Sequence, residues 1–327
     1  MLILPLQGSW EMHIFALHQV DNQHPCLAED TFLFHQIAHL QTQLCEKKWL
    51  FSLYFANKRR YVAHFPIFQQ KNSLFSPFQA PFGGAIFEPT LQVEILYLFL
   101  ENIENYCTQI LEAKRIYIKL YPQCYAPTQS SLLTHYLLKK GYSLDTTELN
   151  YHFDIQANGN FDQKLHHSEK RKLAQCYKQH FEFRLAKTEW LEQAYRIIYQ
   201  NRERKQKPIS LSLEQLQNLF VQFPHHFLLA CLLDCDKAFT VVSTAVLVKI
   251  NSKIIYYFMP ADNFDYQRFS PSILLLRYIY DWAKEQHFRI LDLGISTENG
   301  KENFGLMRFK QNLGAEVSLK LTWYKSW

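Results

Sequence analysis

Two charged residues near the carboxyl end of the sequence stand where apolar ones are expected. Asp292 lies in RILDLGI, flanked by Ile290, Leu291, Leu293 and Ile295, the composition of a strand buried on both faces. Lys310 lies in FGLMRFKQNL. At about 100° of turn per residue it falls on the arc of Leu306, Met307 and Leu313, while Arg308 faces away. An ionised carboxylate inside an apolar strand is costly unless it is paired, hydrogen-bonded or placed at the strand's end. Two readings are open. In one, Asp292 and Lys310 form an internal ion pair that fixes register, or Asp292 caps the loop behind it. In the other, they do acid-base and charge chemistry: Asp292, or Glu298 in the following loop STENGKEN, accepts a proton, and the Lys310 ammonium supports a developing negative charge. Location favours chemistry, because ligands of open α/β sheets gather beyond the carboxyl ends of strands, where Ser296, Thr297 and Asn299 open a polar loop. Four of the chain's nine glycines fall between residues 291 and 316, which allows tight turns and close backbone approach to a ligand there.

A second polar group precedes an apolar helix. The segment QRFSPS holds Gln267, Arg268, Ser270 and Ser272, and Ser270–Pro271 reads as an N-cap followed by a first-turn proline. Free N–H groups and the helix dipole at that start suit an anion, with Arg268 beside them. Tyr257 and Asp262 stand at the carboxyl end of the preceding strand, IIYYFMPAD, and are candidates for substrate contact.

The elements that position these residues occur twice. In the first half, WLFSLYFA and RRYVAHFPIF form a hairpin across Asn57 and Lys58, followed by SLFSPFQ, a helix from about 91 to 111, the strand RIYIKLYP, the helix SLLTHYLLKK and the strand TELNYHFDI. In the second half the same order runs through FLLACLL, AFTVVSTAVLVKI, IIYYFMP, a helix from 271 to 287, RILDLGI, FGLMRFKQNL and VSLKLTWY. Between them lies a helical connector in which Ser212 and Gln215 make a capping box. The expected division is 1–156 and 157–327, and the element order implies a mixed, mostly antiparallel α/β (α+β) sheet flanked by helices in each part. Aligning the halves sets Ile118 against Asp292 and Leu137 against Lys310. The charges are therefore peculiar to the second half.

The chain has 327 residues and is 48% hydrophobic and 16% aromatic, ample for folded cores. Its opening residues lack a basic n-region and Pro5 interrupts the apolar run, so a soluble, cytoplasmic protein is expected. Seven scattered cysteines without a C-x-x-C pair fit a reducing compartment. His35 and His39 lie one helical turn apart, but Gln36 stands where H-E-x-x-H has its base and no third ligand is in sight, so no metal is expected. The net charge of +5 is concentrated between residues 160 and 210, where 12 Lys and Arg face 6 Asp and Glu. That stretch is either a solvated helical face or a grip for the phosphates of a nucleotide-linked substrate or RNA. No P-loop, dinucleotide fingerprint or G-x-S-x-G elbow occurs.

The doubled plan resembles the GNAT acyltransferase fold, and its tandem form is similar to FemAB-like transferases. LDLGIST followed by GLMRFKQNLGA is similar to the D-x-G, then G-x-x-x-F-K-x-x-x-G, pattern near the end of such proteins. The resemblance implies a degenerate first domain, a catalytic second domain and acyl-CoA, such as acetyl-CoA, as co-substrate. It further implies an amine acceptor that is a small molecule or nucleotide-linked, as in cell-envelope or polysaccharide precursors, and no metal. Fem-type transferases place a lysine close to their acyl site, and Lys310 matches it. GNAT enzymes bind the donor pyrophosphate through Q/R-x-x-G-x-G/A; here Gln267 matches, while Ser270 and Ser272 replace glycines. FemAB-like proteins that take aminoacyl-tRNA share that departure, so an aminoacyl-tRNA donor acting on a peptidoglycan precursor stands as the alternative. A catalytically silent binding protein on the same fold is the third reading.

Overall fold

The computed structural model describes residues 1–20, 30–157, 159–186, 188–298 and 300–327. Asn299, one of the expected substrate contacts, and Cys26 lie outside the described residues. The elements are β1 (Leu2–Pro5), β2 (Trp10–Ala16), α1 (Ile37–Thr42), β3 (Lys47–Phe55), β4 (Arg60–Gln70), β5 (Ser73–Ser76), β6 (Ile86–Phe87), α2 (Val93–Gln109), β7 (Arg115–Lys119), α3 (Pro127–Lys139) and β8 (Ser143–Asp154). They continue through α4 (Phe161–Lys164), α5 (His167–Cys176), β9 (Phe181–Ala186), α6 (Leu191–Arg204), α7 (Leu213–Gln222), β10 (Phe227–Asp234), β11 (Thr240–Lys249) and β12 (Ile254–Asp262). Last come α8 (Ser272–Glu285), β13 (Ile290–Ile295), β14 (Thr297–Glu298), β15 (Lys301–Glu302), α9 (Phe304–Asn312) and β16 (Glu316–Ser326). The order expected from the two halves is thus present, a mixed and mostly antiparallel α/β plan built twice.

Two compact units result, and neither is continuous in sequence. The first comprises 1–149, 297–301 and 318–327; the second comprises 150–296 and 302–317. The main segment of the first unit thus ends at Leu149, against the expected boundary at 156, and residues 318–327 join it. The reason is strand usage. Residues 150–154 of β8 pair with β13 in the second unit, while residues 322–326 of β16 pair with β7 in the first. Leu321 and Trp323 then complete the first unit's core, with Trp323 only 1% exposed.

In the first unit the strands run β1-β2-β3-β4-β5-β7-β16, with β6 alongside β4. Alternation along β7 sends Ile116 and Ile118 into the core beside the apolar face of α2, which carries Leu96, Phe99, Leu100 and Ile103. In the second unit the order is β8-β13-β12-β11-β10-β9. Strands β10 and β11 are buried along nearly their whole length because both faces are covered: α8 packs on β10 to β12, and α6 on β11 and β12. The capping box expected at Ser212 and Gln215 starts α7, both reciprocal hydrogen bonds being made.

Candidate functional site

The two units differ at the pair of parallel strands that corresponds in their plans. In the second unit, β12 and β13 are in register at Ile254–Ile290, Ile255–Leu291 and Tyr256–Asp292, and their pairing ends there although both strands continue. The break coincides with irregularities in both outer ladders. The register of β12 on β11 shifts between the Val246–Phe258 and Thr244–Ala261 pairs, leaving Met259 and Pro260 between them, with Met259 at φ 50. The register of β13 on β8 shifts between Asp292 and Gly294. In the first unit, β5 and β7 pair from Ser73–Arg115 to Ser76–Ile118 and are then held together further on by a bridge between Gly83 and Leu120, where the Gly83 N–H donates to Lys119 at 2.8 Å. A Cβ on Gly83 would lie 2.7 Å from the Pro77 nitrogen, so only glycine allows that closure. The paired strands of the second unit thus part at a point where those of the first are held together.

Asp292 and Lys310 meet at one residue of this opening. The Gly294 N–H donates to Asp292 Oδ1 at 2.7 Å, and its carbonyl accepts from Lys310 Nζ at 2.8 Å. Lys310 also donates to the Ile295 carbonyl at 3.0 Å and lies 5.6 Å from the centre of the Tyr151 ring. Asp292 in turn accepts from Asn150 Nδ2 at 2.8 Å. Gly294 carries this bulge at φ 74, and a Cβ there would sit 3.1 Å from Tyr256 Cε2. The expected register-fixing contact therefore runs through a backbone amide. Asp292 is 2% and Lys310 5% exposed. Burial pushes the Lys310 ammonium down to about 7, against the opposing pull of the Asp292 charge.

The start of α8 is built differently from the expectation. Ser270 is left-handed at φ 54 and Pro271 takes the N-cap position, so Ser270 caps nothing. The carboxylate of Asp262 fills that role: it accepts from the Ser272 backbone N–H and hydroxyl, and from Ser243 Oγ at 2.6 Å. Burial raises the Asp262 pKa, and these hydrogen bonds oppose the rise. Gln267 and Arg268 are exposed, with the Arg268 guanidinium 4.6 Å from the centre of the Phe269 ring.

The remaining candidates are spread out. Tyr257 is buried, and its phenol is pushed well up by desolvation. Ser296 follows β13 in the second unit, with a buried hydroxyl that finds no hydrogen-bond partner among the described residues. Thr297 and Glu298 belong to the first unit, the former buried and the latter exposed. Two residues escaped the sequence reading: Asn150, and His152, which pairs in register with Asp292 and whose buried Nδ1 has no partner among the described residues. Burial lowers the His152 pKa while Asp292 opposes it. Their polar character inside TELNYHFDI was the available signal. In the first unit, His35 Nε2 lies 3.1 Å from the Gly84 carbonyl and burial lowers its pKa to about 4. No group of three metal-ligating side chains occurs among the described residues.

No sequence-family model matches the chain, and no curated protein matches it either. Solved structures do. The crystal structure of FemX aligns with a TM-score of 0.63 at 12% identity, covering 84% of this chain and 87% of that one. The structure of L-PGS from Bacillus licheniformis aligns at 0.54 and 12% identity, over 81% of each chain. A tandem GNAT protein from the clavulanic acid biosynthesis pathway aligns at 0.51 and 8% identity, over 97% of this chain and 98% of that one. The chain has the tandem GNAT fold.

Proposed function

Starting from a tandem GNAT fold, we propose that the second unit is an N-acyltransferase working in the opening between β12 and β13. The observation that carries this reading is the parting of those strands behind Tyr256 and Asp292, with the Met259 bulge on one side and Lys310 at the carboxyl end of the other. An amine nitrogen attacks the carbonyl carbon of an activated acyl group, a C–N bond forms, and the thiol or hydroxyl of the donor leaves with its electron pair. Backbone N–H groups near Met259 support the tetrahedral oxyanion. The amine's proton must reach the leaving group. Lys310, brought to about 7 by burial, is suited to exchange a proton at neutral pH. Asp292, spent on Asn150 and Gly294, is a positioning residue for that lysine, and Glu298 is not needed as the base.

Acyl-CoA is the donor implied by the fold, with a small or nucleotide-linked amine as acceptor. One observation favours the aminoacyl-tRNA donor instead, on a peptidoglycan precursor. The α8 start that would receive a diphosphate already holds the Asp262 carboxylate, and two anions at one helix terminus repel. Thermal shifts with acetyl-CoA, longer acyl-CoAs and charged tRNA separate these donors, since only a cognate one stabilises the folded chain by mass action. If none of them does, the silent binding protein is the better reading. Lys310→Met should then lower kcat with the cognate donor while leaving the fold intact. Unchanged turnover would remove Lys310 from the chemistry.

A further inference from the structure

Among the described residues, one face of the first unit's sheet is only partly covered. Towards β2 to β4 it is roofed by α1 and the turn before it, where Leu17, Ile37 and Leu40 pack on Leu50 and Phe68. Towards β5, β7 and β16 the same face presents half-exposed side chains. The register places Phe75 beside Tyr117 and Tyr117 beside Tyr324, one rung across three strands. The Phe75 and Tyr117 rings are stacked with centroids 5.5 Å apart and planes 8° from parallel. The Tyr117 and Tyr324 rings lie 4.9 Å apart, and Phe78 extends the row 5.8 Å beyond Phe75.

Cations frame this row. The next rung, about 6.8 Å along the strands, holds Ser73, Arg115 and Ser326, and the rung on the other side holds Lys119. Beside Arg115 an open depression of about 590 Å³ is lined by Gln70, Lys71, Asn72, Ser73, Phe75 and Lys114, with no carboxylate among the described residues of its wall. Among the described residues, Lys71, Lys114, Arg115 and Lys119 form no ion pair with a carboxylate of the chain. Bases stack on aromatic side chains regardless of sequence, and unpaired cations alongside track a phosphate backbone. An acidic protein segment would meet the cations but leave the rings unused.

We propose that this face binds single-stranded nucleic acid, its bases lying along Phe75, Tyr117 and Tyr324 and its phosphates meeting Lys71, Lys114, Arg115 and Lys119. The inference does not depend on the transfer reaction of the second unit, and it involves none of the basic helical connector.

Fluorescence anisotropy on the full chain with labelled single strands of about twelve nucleotides, RNA in one arm and DNA in another, tests it. Both strands should bind in low salt, and an RNA duplex should bind more weakly. Tyr117→Ala should weaken binding about tenfold or more, and Tyr117→Phe should restore it. Lys71→Gln with Arg115→Gln should flatten the logarithmic salt dependence by about 1.4, because two phosphates are no longer neutralised. These two side chains are exposed, so the paired variant keeps the test valid should Tyr117→Ala disturb folding. A tighter RNA arm would name RNA as the natural strand. Absence of single-strand binding at about 50 mM salt would overturn the proposal. So would equal affinity for the duplex, or loss of binding on Lys170→Gln with Arg171→Gln while the sheet variants bind normally.

Discussion

Replacing Lys310 by methionine tests the electrostatics of the opening without any knowledge of a substrate. The unfolded chain takes up the lysine proton near its ordinary 10.5, the folded chain only near 7, so between those values the unfolded state binds more protons. Unfolding free energy must therefore rise with pH there, by at most about 1.4 kcal/mol per pH unit for one proton. Summed over the window, the buried charge costs about 5 kcal/mol below pH 7 relative to strongly alkaline solution. Lys310→Met has no proton to bind and lacks this dependence, but it strips the Gly294 and Ile295 carbonyls of a donor, a loss of about 1–3 kcal/mol each. Urea denaturation of both proteins between about pH 6.5 and 9.5 should show the wild type gaining on the variant by about 3 kcal/mol as pH rises. A wild-type-minus-variant difference that stays flat across that range would refute the argument, because it would mean that the lysine titrates as it does in water.

Three further outcomes are expected. Gly294→Ala places a methyl 3.1 Å from Tyr256 Cε2 on a left-handed backbone, and should cost about 2–3 kcal/mol in urea unfolding; a loss under about 0.5 would mean that the bulge relaxes freely. Asn150→Ala takes a buried donor from Asp292 and should destabilise by about 2–3 kcal/mol, with Asn150→Asp worse still because it sets two carboxylates together. A fragment ending at residue 156 should show no cooperative thermal transition, because it lacks Leu321 and Trp323, which fill the first unit's core; a sharp melt would show that those residues are dispensable.

The doubled element order was readable because each half repeats the same hydrophobic periods between the same turns. Asp292 and Lys310 stood out for the same reason, as charges in apolar patterns. What could not be read was which partner each strand would choose. β8 and β16 have nearly equivalent alternating sequences, and their exchange is settled by packing around Trp323 and by the β13 register rather than by local preference. The start of α8 misled in another way. Ser270–Pro271 has the chemistry of a cap, but Asp262, eight residues earlier, reaches the helix N-terminus across a 3-10 turn, a contact that sequence proximity does not announce. Asn150 and His152 were passed over because a polar residue in an alternating strand ordinarily faces water; here their strand is covered on both sides.

The exchange of terminal strands also orders events during synthesis. The first 149 residues emerge from the ribosome well before residues 318–327, so the amino-terminal unit waits, with an unfilled core, until those residues have been made. Vectorial folding, in which one domain closes before the next is translated, is thereby denied to this chain. Holdase chaperones would find their substrate in that interval, and a nascent chain stalled between residues 149 and 318 would be a target for degradation rather than a half-finished protein.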